Sequence, residues 1–228
     1  PSHMAQQTLN TSPFSLRALH ERVRADAWFK AVGMTVGMTL FFAIYFEVQK
    51  ITAGTAFIIP ETLLDRLTGF QPWTIVPYFS LWFYISLPLA FMTERRQMAS
   101  FAFGCFALSA IGLAIFLLWP STVAEPTNIA WGDHAGFTFL KSTDSTGNAC
   151  PSLHAAFAAF TAVWLVRLLP TLHVGRWARL GNLVWAALIV FSTIGTKQHV
   201  AIDALCGTLL GTLVGLICPR AQAAGRLP

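Results

Sequence analysis

Six long apolar runs dominate this chain, at Ala31–Val48, Trp73–Met92, Met98–Trp119, Ser152–Leu169, Leu180–Thr196 and His199–Cys218. Each holds about 17–22 residues, which as a helix rising about 1.5 Å per residue crosses a hydrocarbon layer of about 30 Å. Only 11% of the 228 residues are charged and 55% are hydrophobic, whereas a water-soluble domain carries about 25% charged residues. The charge deficit is the stronger signal, because a surface facing water needs those charges. The composition therefore excludes an aqueous globular enzyme and a disordered chain. It predicts an all-α polytopic membrane protein of six transmembrane helices, with no soluble domain beside them.

The charges flanking the runs predict orientation. Arg17, Arg22, Arg24, Lys30, Arg95, Arg96, Arg167, Arg176, Arg179, Arg220 and Arg226 fall on one side, and Lys50, Arg66, Lys141 and Lys197 on the other, 11 against 4. The positive-inside rule then puts both termini in the cytoplasm, as an even number of spans requires. The expected location is the cell (inner) membrane, with the active site on the extracytoplasmic side. Residues 1–4 read as a cloning scar, 5–30 as a cytoplasmic N-terminal segment, 31–218 as the six-helix membrane domain and 219–228 as a cytoplasmic tail. The residues after Met4 are polar and then basic, without the apolar core and cleavage site of a removable signal peptide. The net charge of +5 does not point to nucleic acid, because the basic residues sit at the edges of apolar runs rather than in one patch.

The two long outer connections, Gln49–Pro72 and Pro120–Pro151, are the expected carriers of function. Ile58–Phe70 reads either as an interfacial amphipathic helix with Leu63, Leu64 and Leu67 on one face, or as a plain loop. Trp73, Trp82, Trp119, Trp131 and Trp164 read as an aromatic belt. Gly207, Gly211 and Gly215 on the last span, and Gly33 with Gly37 on the first, permit close helix approach, within the bundle or across a homodimer. Cys105, Cys150, Cys206 and Cys218 show no C-x-x-C spacing, so neither a disulfide framework nor a zinc site is expected.

Ionisable groups inside spans are costly and usually functional. Asp203 lies one turn into the last run, and His199 precedes it by four residues, a spacing that places both on one helical face. The carboxylate can hold one imidazole nitrogen and leave the other as a nucleophile. At the outer start of the fourth run stands Cys150-Pro151-Ser152-Leu153-His154. Pro151 suits a first helical position, and Ser152 with the following amides makes an anion cradle. Two histidines, one aspartate and a helix start at one interface point to phosphoryl transfer, one histidine attacking phosphorus and the other protonating the departing oxygen.

These residues resemble the type-2 phosphatidic acid phosphatase superfamily, whose pattern is K-x6-R-P, then P-S-G-H, then S-R-x5-H-x3-D. Pro151-Ser152-Leu153-His154 matches the second part with Leu153 in place of glycine. Ser192 through His199 to Asp203 matches the third, with Thr193 in place of arginine. The first part is absent, the nearest candidate being Glu125-Pro126. The resemblance implies a six-helix lipid phosphatase or phosphotransferase that needs no metal or other cofactor. His199 would form a phosphohistidine, Asp203 would orient it, His154 would be the general acid and Ser152 would help hold the phosphate. The missing arginines resemble the branch of inositol phosphorylceramide and sphingomyelin synthases, which move a phosphorylated headgroup onto a lipid alcohol. Asp65-Arg66, Gln71-Pro72-Trp73 and Pro77-Tyr78 resemble the entry to the second helix in that branch.

Lys197 and Lys141 are the outer cations near the motifs, and Lys197 either replaces a missing arginine or snorkels to the interface. Asn148, with Asp144, Asp133 and His134, either binds a headgroup or solvates the loop. The expected partner is a membrane lipid: a phospholipid, an isoprenoid phosphate or a sphingolipid-like molecule. Two other readings stay open. One is a metal-dependent hydrolase using His154, His199 and Asp203 as ligands. The other is a small transporter or channel with a His–Asp proton relay.

Overall fold

The computed structural model describes residues 15–134, 136–143 and 147–224. The segment 1–4, Asp144, Arg226 and the end of the 219–228 tail lie outside them. After a short helix α1 (Leu16–Arg24) comes α2 (Ala27–Thr52), the first helix long and apolar enough to cross a membrane. Strand β1 (Phe57–Ile59) and helix α3 (Leu63–Thr68) lead to a 3-10 turn at Pro72–Thr74. That turn runs into α4 (Ile75–Tyr84) and α5 (Ser86–Phe91), which together make the second span. Helix α6 (Arg95–Leu118) is the third. Strand β2 (Ser121–Val123), a 3-10 turn at Trp131–Asp133 and α7 (Phe137–Thr143) connect it to α8 (Leu153–Leu168). Helices α9 (Arg176–Gly195) and α10 (Ala201–Ala224) complete the bundle. The six spans expected from the apolar runs are all present.

Helix α8 is the axis of the bundle. In its most apolar stretch 67% of the residues are buried inside the protein, against 6% in the first span. Its composition explains this, since Ala155, Ala156, Ala158, Ala159 and Ala162 let neighbours approach closely. The glycine stripe of α10 answers that surface. A Cβ on Gly207 would sit 2.1 Å from the Ser152 carbonyl oxygen, and one on Gly211 1.9 Å from that of Ala156. Only glycine allows backbone to meet backbone there. This stripe is thus used within the chain, whereas a Cβ on Gly33 or Gly37 of α2 would meet nothing from another element within 4 Å. Trp164 departs from the aromatic belt: on the central helix it is 3% exposed and packs its edge on Phe101.

The second span breaks at Ile85, where α4 gives way to α5. Pro88 has no N–H to give the Tyr84 carbonyl, so the helical ladder is interrupted there. Tyr84 instead anchors sideways, its hydroxyl donating to Asn182 Oδ1 of α9 at 2.6 Å. At the end of the bundle where spans two, four and six begin, the long connections are stitched together. Strands β1 and β2 pair in parallel, Phe57 opposite Ser121 and Ile59 opposite Val123. Ser121 then holds the approach to α8, accepting the Ala149 amide on its carbonyl and the Cys150 amide on Oγ, both at 2.9 Å. The Ile58–Phe70 segment is shorter in helix than an amphipathic reading implies. It contains the last two residues of β1 and the six residues of α3, with Leu63, Leu64 and Leu67 all exposed.

Candidate active site

The turn between α9 and α10 carries His199. Helix α9 stops at Gly195, Lys197 adopts a left-handed backbone (φ +58°), and α10 begins only at Ala201. His199 therefore stands on the turn before the helix, not on a helical face four residues from Asp203. The turn is closed by Thr193, whose carbonyl accepts the Gln198 and His199 amides at 3.2 and 3.0 Å. Asp203, third in α10, reaches back to meet the histidine. Its Oδ1 accepts the Val200 amide at 2.9 Å and its Oδ2 lies 2.9 Å from His199 Nδ1. A buried carboxylate only accepts, so Nδ1 carries the hydrogen and Nε2 keeps its lone pair for chemistry. Asp203 is 0% exposed, and His199 9%.

A second carboxylate supports the same helix start. Asp65 Oδ1 accepts the Ala201 amide at 2.8 Å, while its Oδ2 accepts both the amide and the hydroxyl of Thr62 at 2.7 Å. Lys197 Nζ donates to the Asp65 carbonyl at 2.9 Å and stands 3.6 Å from Glu61. The sequence does not mark Asp65 as a site residue, although Thr62-x-x-Asp65 is a capping-box pattern. That pattern predicts the α3 cap, which forms. It carries no hint of the reach to Ala201.

Ser152 caps α8, its Oγ accepting the Ala155 amide at 3.2 Å. Pro151 thus precedes the cap rather than opening the helix. The Ser152 amide donates to the Asp203 carbonyl at 3.0 Å, which fixes the start of α8 against the start of α10. His154, the second helical residue, lies flat on the Tyr78 ring at 3.9 Å and edge-on to Trp82 at 5.9 Å. Its Nε2 is 2.8 Å from the Tyr78 carbonyl oxygen, so Nε2 donates there and Nδ1 is the nitrogen left for proton transfer. His154 and His199 are within electrostatic range of each other. His199, Asp203, Ser152 and His154, 51 positions apart at the extremes, form one cluster, the candidate site.

The other predicted contacts lie around this site on partners of their own. Lys197 is held by Glu61 and Asp65. Lys141 on α7 pairs with Glu125 at 3.1 Å and covers the Trp131 ring at 4.5 Å. Asn148 donates to the Tyr45 hydroxyl of α2. Beside the site Phe70, Trp131, His134 and Phe137 form an aromatic cluster that packs on Tyr78 and Phe79. Further along the bundle, α8, α9 and α10 flank an open apolar cavity of about 640 Å³ lined by Val163, Ala187, Val190, Phe191 and Leu216 among others. Among the described residues, no three His, Cys, Asp or Glu side chains are grouped to hold a metal ion.

No curated protein and no solved structure matches the chain. The PAP2 superfamily profile, by contrast, matches residues 74–226, which takes in Ser152, His154, His199 and Asp203 and leaves Asp65 outside. By this match over most of its length, the chain belongs to the PAP2 superfamily, which has phosphatase and phosphotransferase members.

Proposed function

We propose that this protein breaks and makes phosphate ester bonds of membrane lipids through a phosphohistidine on His199. The observation that carries the reading is the His199–Asp203 clamp seated against the start of α8. Nε2 of His199 attacks phosphorus while Asp203 steadies the positive charge that develops on the ring. His154, with Nε2–H donated to Tyr78, delivers a proton from Nδ1 to the departing oxygen. In the second half-reaction the same nitrogen takes a proton from water or from an alcohol, which then displaces phosphorus from His199. The hydroxyl of Ser152 and the first amides of α8 would receive the phosphate oxygens. The apolar cavity among α8, α9 and α10 offers a hydrocarbon chain a place beneath the headgroup.

Transfer to a lipid alcohol, as in the inositol phosphorylceramide and sphingomyelin synthases, is the second reading. It is favoured by Thr193 standing where the resembling motif has arginine, by the absence of the K-x6-R-P part, and by the engagement of Lys197 and Lys141 with acids. A phosphodiester brings a single charge. The site is proposed to face the extracytoplasmic side of the cell membrane, from the 11 to 4 charge split.

The test is a panel of lipid phosphates and diesters, with and without alcohol acceptors, with products resolved by mass. His154→Ala should be slow to release ordinary leaving groups, and a substrate whose leaving group is acidic enough to depart unprotonated should restore that first step, read as a burst of leaving group. His199→Ala should recover on neither. General acid–base contributions are about 10²–10⁴-fold, so the rescue is measurable. Orthovanadate should inhibit, and an acid-labile, alkali-stable phosphoenzyme should be trapped. EDTA inhibition reversed by zinc would overturn the reading in favour of a metal enzyme. Solute flux in liposomes without any turnover of lipid phosphate would overturn it in favour of a transporter.

A further inference from the structure

Two of the four cysteines, remote in sequence, meet at the edge of this site. Cys150 precedes the Pro151-Ser152 approach to α8, and Cys206 lies one turn beyond Asp203 on α10. The backbones that carry them are in contact: the Ser152 amide donates to the Asp203 carbonyl at 3.0 Å, and Gly207 lies directly on the Ser152 carbonyl. The two thiols are close enough for Cys206 to act electrostatically on Cys150. Cys206 is exposed on the protein surface and Cys150 is half-buried. Cys206 lies near the start of the sixth span, whereas Cys105 sits midway along the third and Cys218, which is buried, at the far end of the sixth.

We propose that Cys150 and Cys206 are a disulfide-forming pair, a covalent modification site that ties the start of α8 to α10 at the mouth of the active site. The oxidant is a disulfide, either a small one or that of a thiol oxidase. The Cys206 thiolate attacks it, breaking its S–S bond and releasing one thiol, to give a mixed disulfide. The Cys150 thiolate then attacks the Cys206 sulfur, forming the Cys150–Cys206 bond and releasing the second thiol. Two protons leave the cysteines and two are taken up by the thiols released, so one disulfide is reduced as the other forms. Burial, then the neighbouring Cys206 and Asp203, pushes the Cys150 thiol up to about 12. Closure is therefore the slow step and speeds up with pH.

The full-length protein in detergent, at pH 8, is incubated with oxidised glutathione, denatured, alkylated with N-ethylmaleimide and weighed intact. Two of the four cysteines should escape alkylation, digestion should give one peptide joining Cys150 to Cys206, and dithiothreitol should restore all four. Cys150→Ser and Cys206→Ser should each abolish the linked species. Four alkylated cysteines after oxidation, a glutathione adduct that stays on Cys206, or a linkage through Cys105 or Cys218 would each overturn the proposal. None of these readouts depends on turnover, so the outcome is independent of the catalytic reading.

Discussion

Asp203→Asn tests the core of the site, because the amide is nearly the same shape and differs only in what its two ends can do. The carboxylate accepts twice, from the Val200 amide and from His199 Nδ1, both at 2.9 Å. An amide accepts at one end and donates at the other. If its NH2 faced Val200, two buried donors would oppose each other, at a cost of about 1–3 kcal/mol. The oxygen therefore stays on Val200 and the NH2 turns to His199, which must then accept on Nδ1 and carry its hydrogen on Nε2. That tautomer has no lone pair for phosphorus. Reaching the reactive tautomer costs the same 1–3 kcal/mol, about 5- to 150-fold in rate. Losing the charge that steadies the imidazolium removes about 1–2 kcal/mol more, the margin between a charged and a neutral hydrogen bond. The total, about 2–5 kcal/mol, predicts a loss of about 30- to 5,000-fold in kcat with KM little changed. In serine proteases the corresponding swap costs about 10⁴-fold by the same tautomer argument. The assay is release of phosphate or headgroup from whichever lipid the wild type turns over, beside a thermal melt in the same detergent. A variant that melts like the wild type and turns over within threefold of it would reduce the pair to packing and refute the reasoning.

Gly207→Ala should lower activity at least tenfold, since its Cβ would meet the Ser152 backbone at 2.1 Å, while Gly33→Ala, facing open space, should leave activity and melting unchanged; equal effects in a paired assay would contradict the packing. Asp65→Ala should lower kcat more than it raises KM, because it frees the Ala201 amide and the turn bearing His199 without touching substrate; a pure KM effect in steady-state kinetics would place Asp65 in substrate binding instead. A cysteine at Thr127, in a background without the native cysteines, should react with an impermeant thiol reagent in intact cells, and labelling only after lysis would reverse the proposed orientation. Because the Cys150 thiol is pushed up to about 12, it is protonated at pH 8 and its alkylation should rise about tenfold per pH unit from there; peptide mapping that finds Cys150 fully modified within the time Cys206 needs at pH 8 would contradict that burial.

The spans are legible in the sequence because a membrane helix is a property of a continuous segment, and the six runs announce themselves one at a time. The candidate site is legible for a related reason. His199 and Asp203 are four apart, and Ser152 and His154 two apart, so each half of the chemistry is local. The contact that joins the halves is not local. The Ser152 amide meets the Asp203 carbonyl because α10 offers glycine where α8 offers alanine, and no window of sequence contains both helices. The geometry behind the His–Asp pair is less legible: a spacing of four suggests one helical face, but the pair forms across a helix start, where Asp203 also accepts the Val200 amide. Asp65 escapes notice because its local pattern is an ordinary cap, and its second bond spans 136 positions to Ala201. Cys150 and Cys206 likewise lack any spacing rule, since their approach follows from the same α8–α10 contact.

The charges around His199 give the proposed chemistry its direction. Asp65 and Asp203 accept from consecutive amides, Ala201 and Val200, so two buried carboxylates share one helix start with Glu61 close by. Against these three acids stands Lys197, which pairs with Glu61 at 3.6 Å and donates to the Asp65 carbonyl. Partial positive charge from the starts of α8 and α10 offsets part of the remainder, about half an elementary charge for each helix. A second negative charge on phosphorus, placed about 4 Å from a carboxylate at an effective dielectric of about 20, adds about 4 kcal/mol of repulsion. A dianionic monoester needs that repulsion cancelled by further cations, and the motif that Ser192 to Asp203 resembles has arginine where this chain has Thr193. A monoanionic diester avoids it, and its departing oxygen, belonging to an alcohol, still needs the proton that His154 would deliver from Nδ1. The same site thus has reason to keep both histidines and the aspartate while dispensing with the arginines.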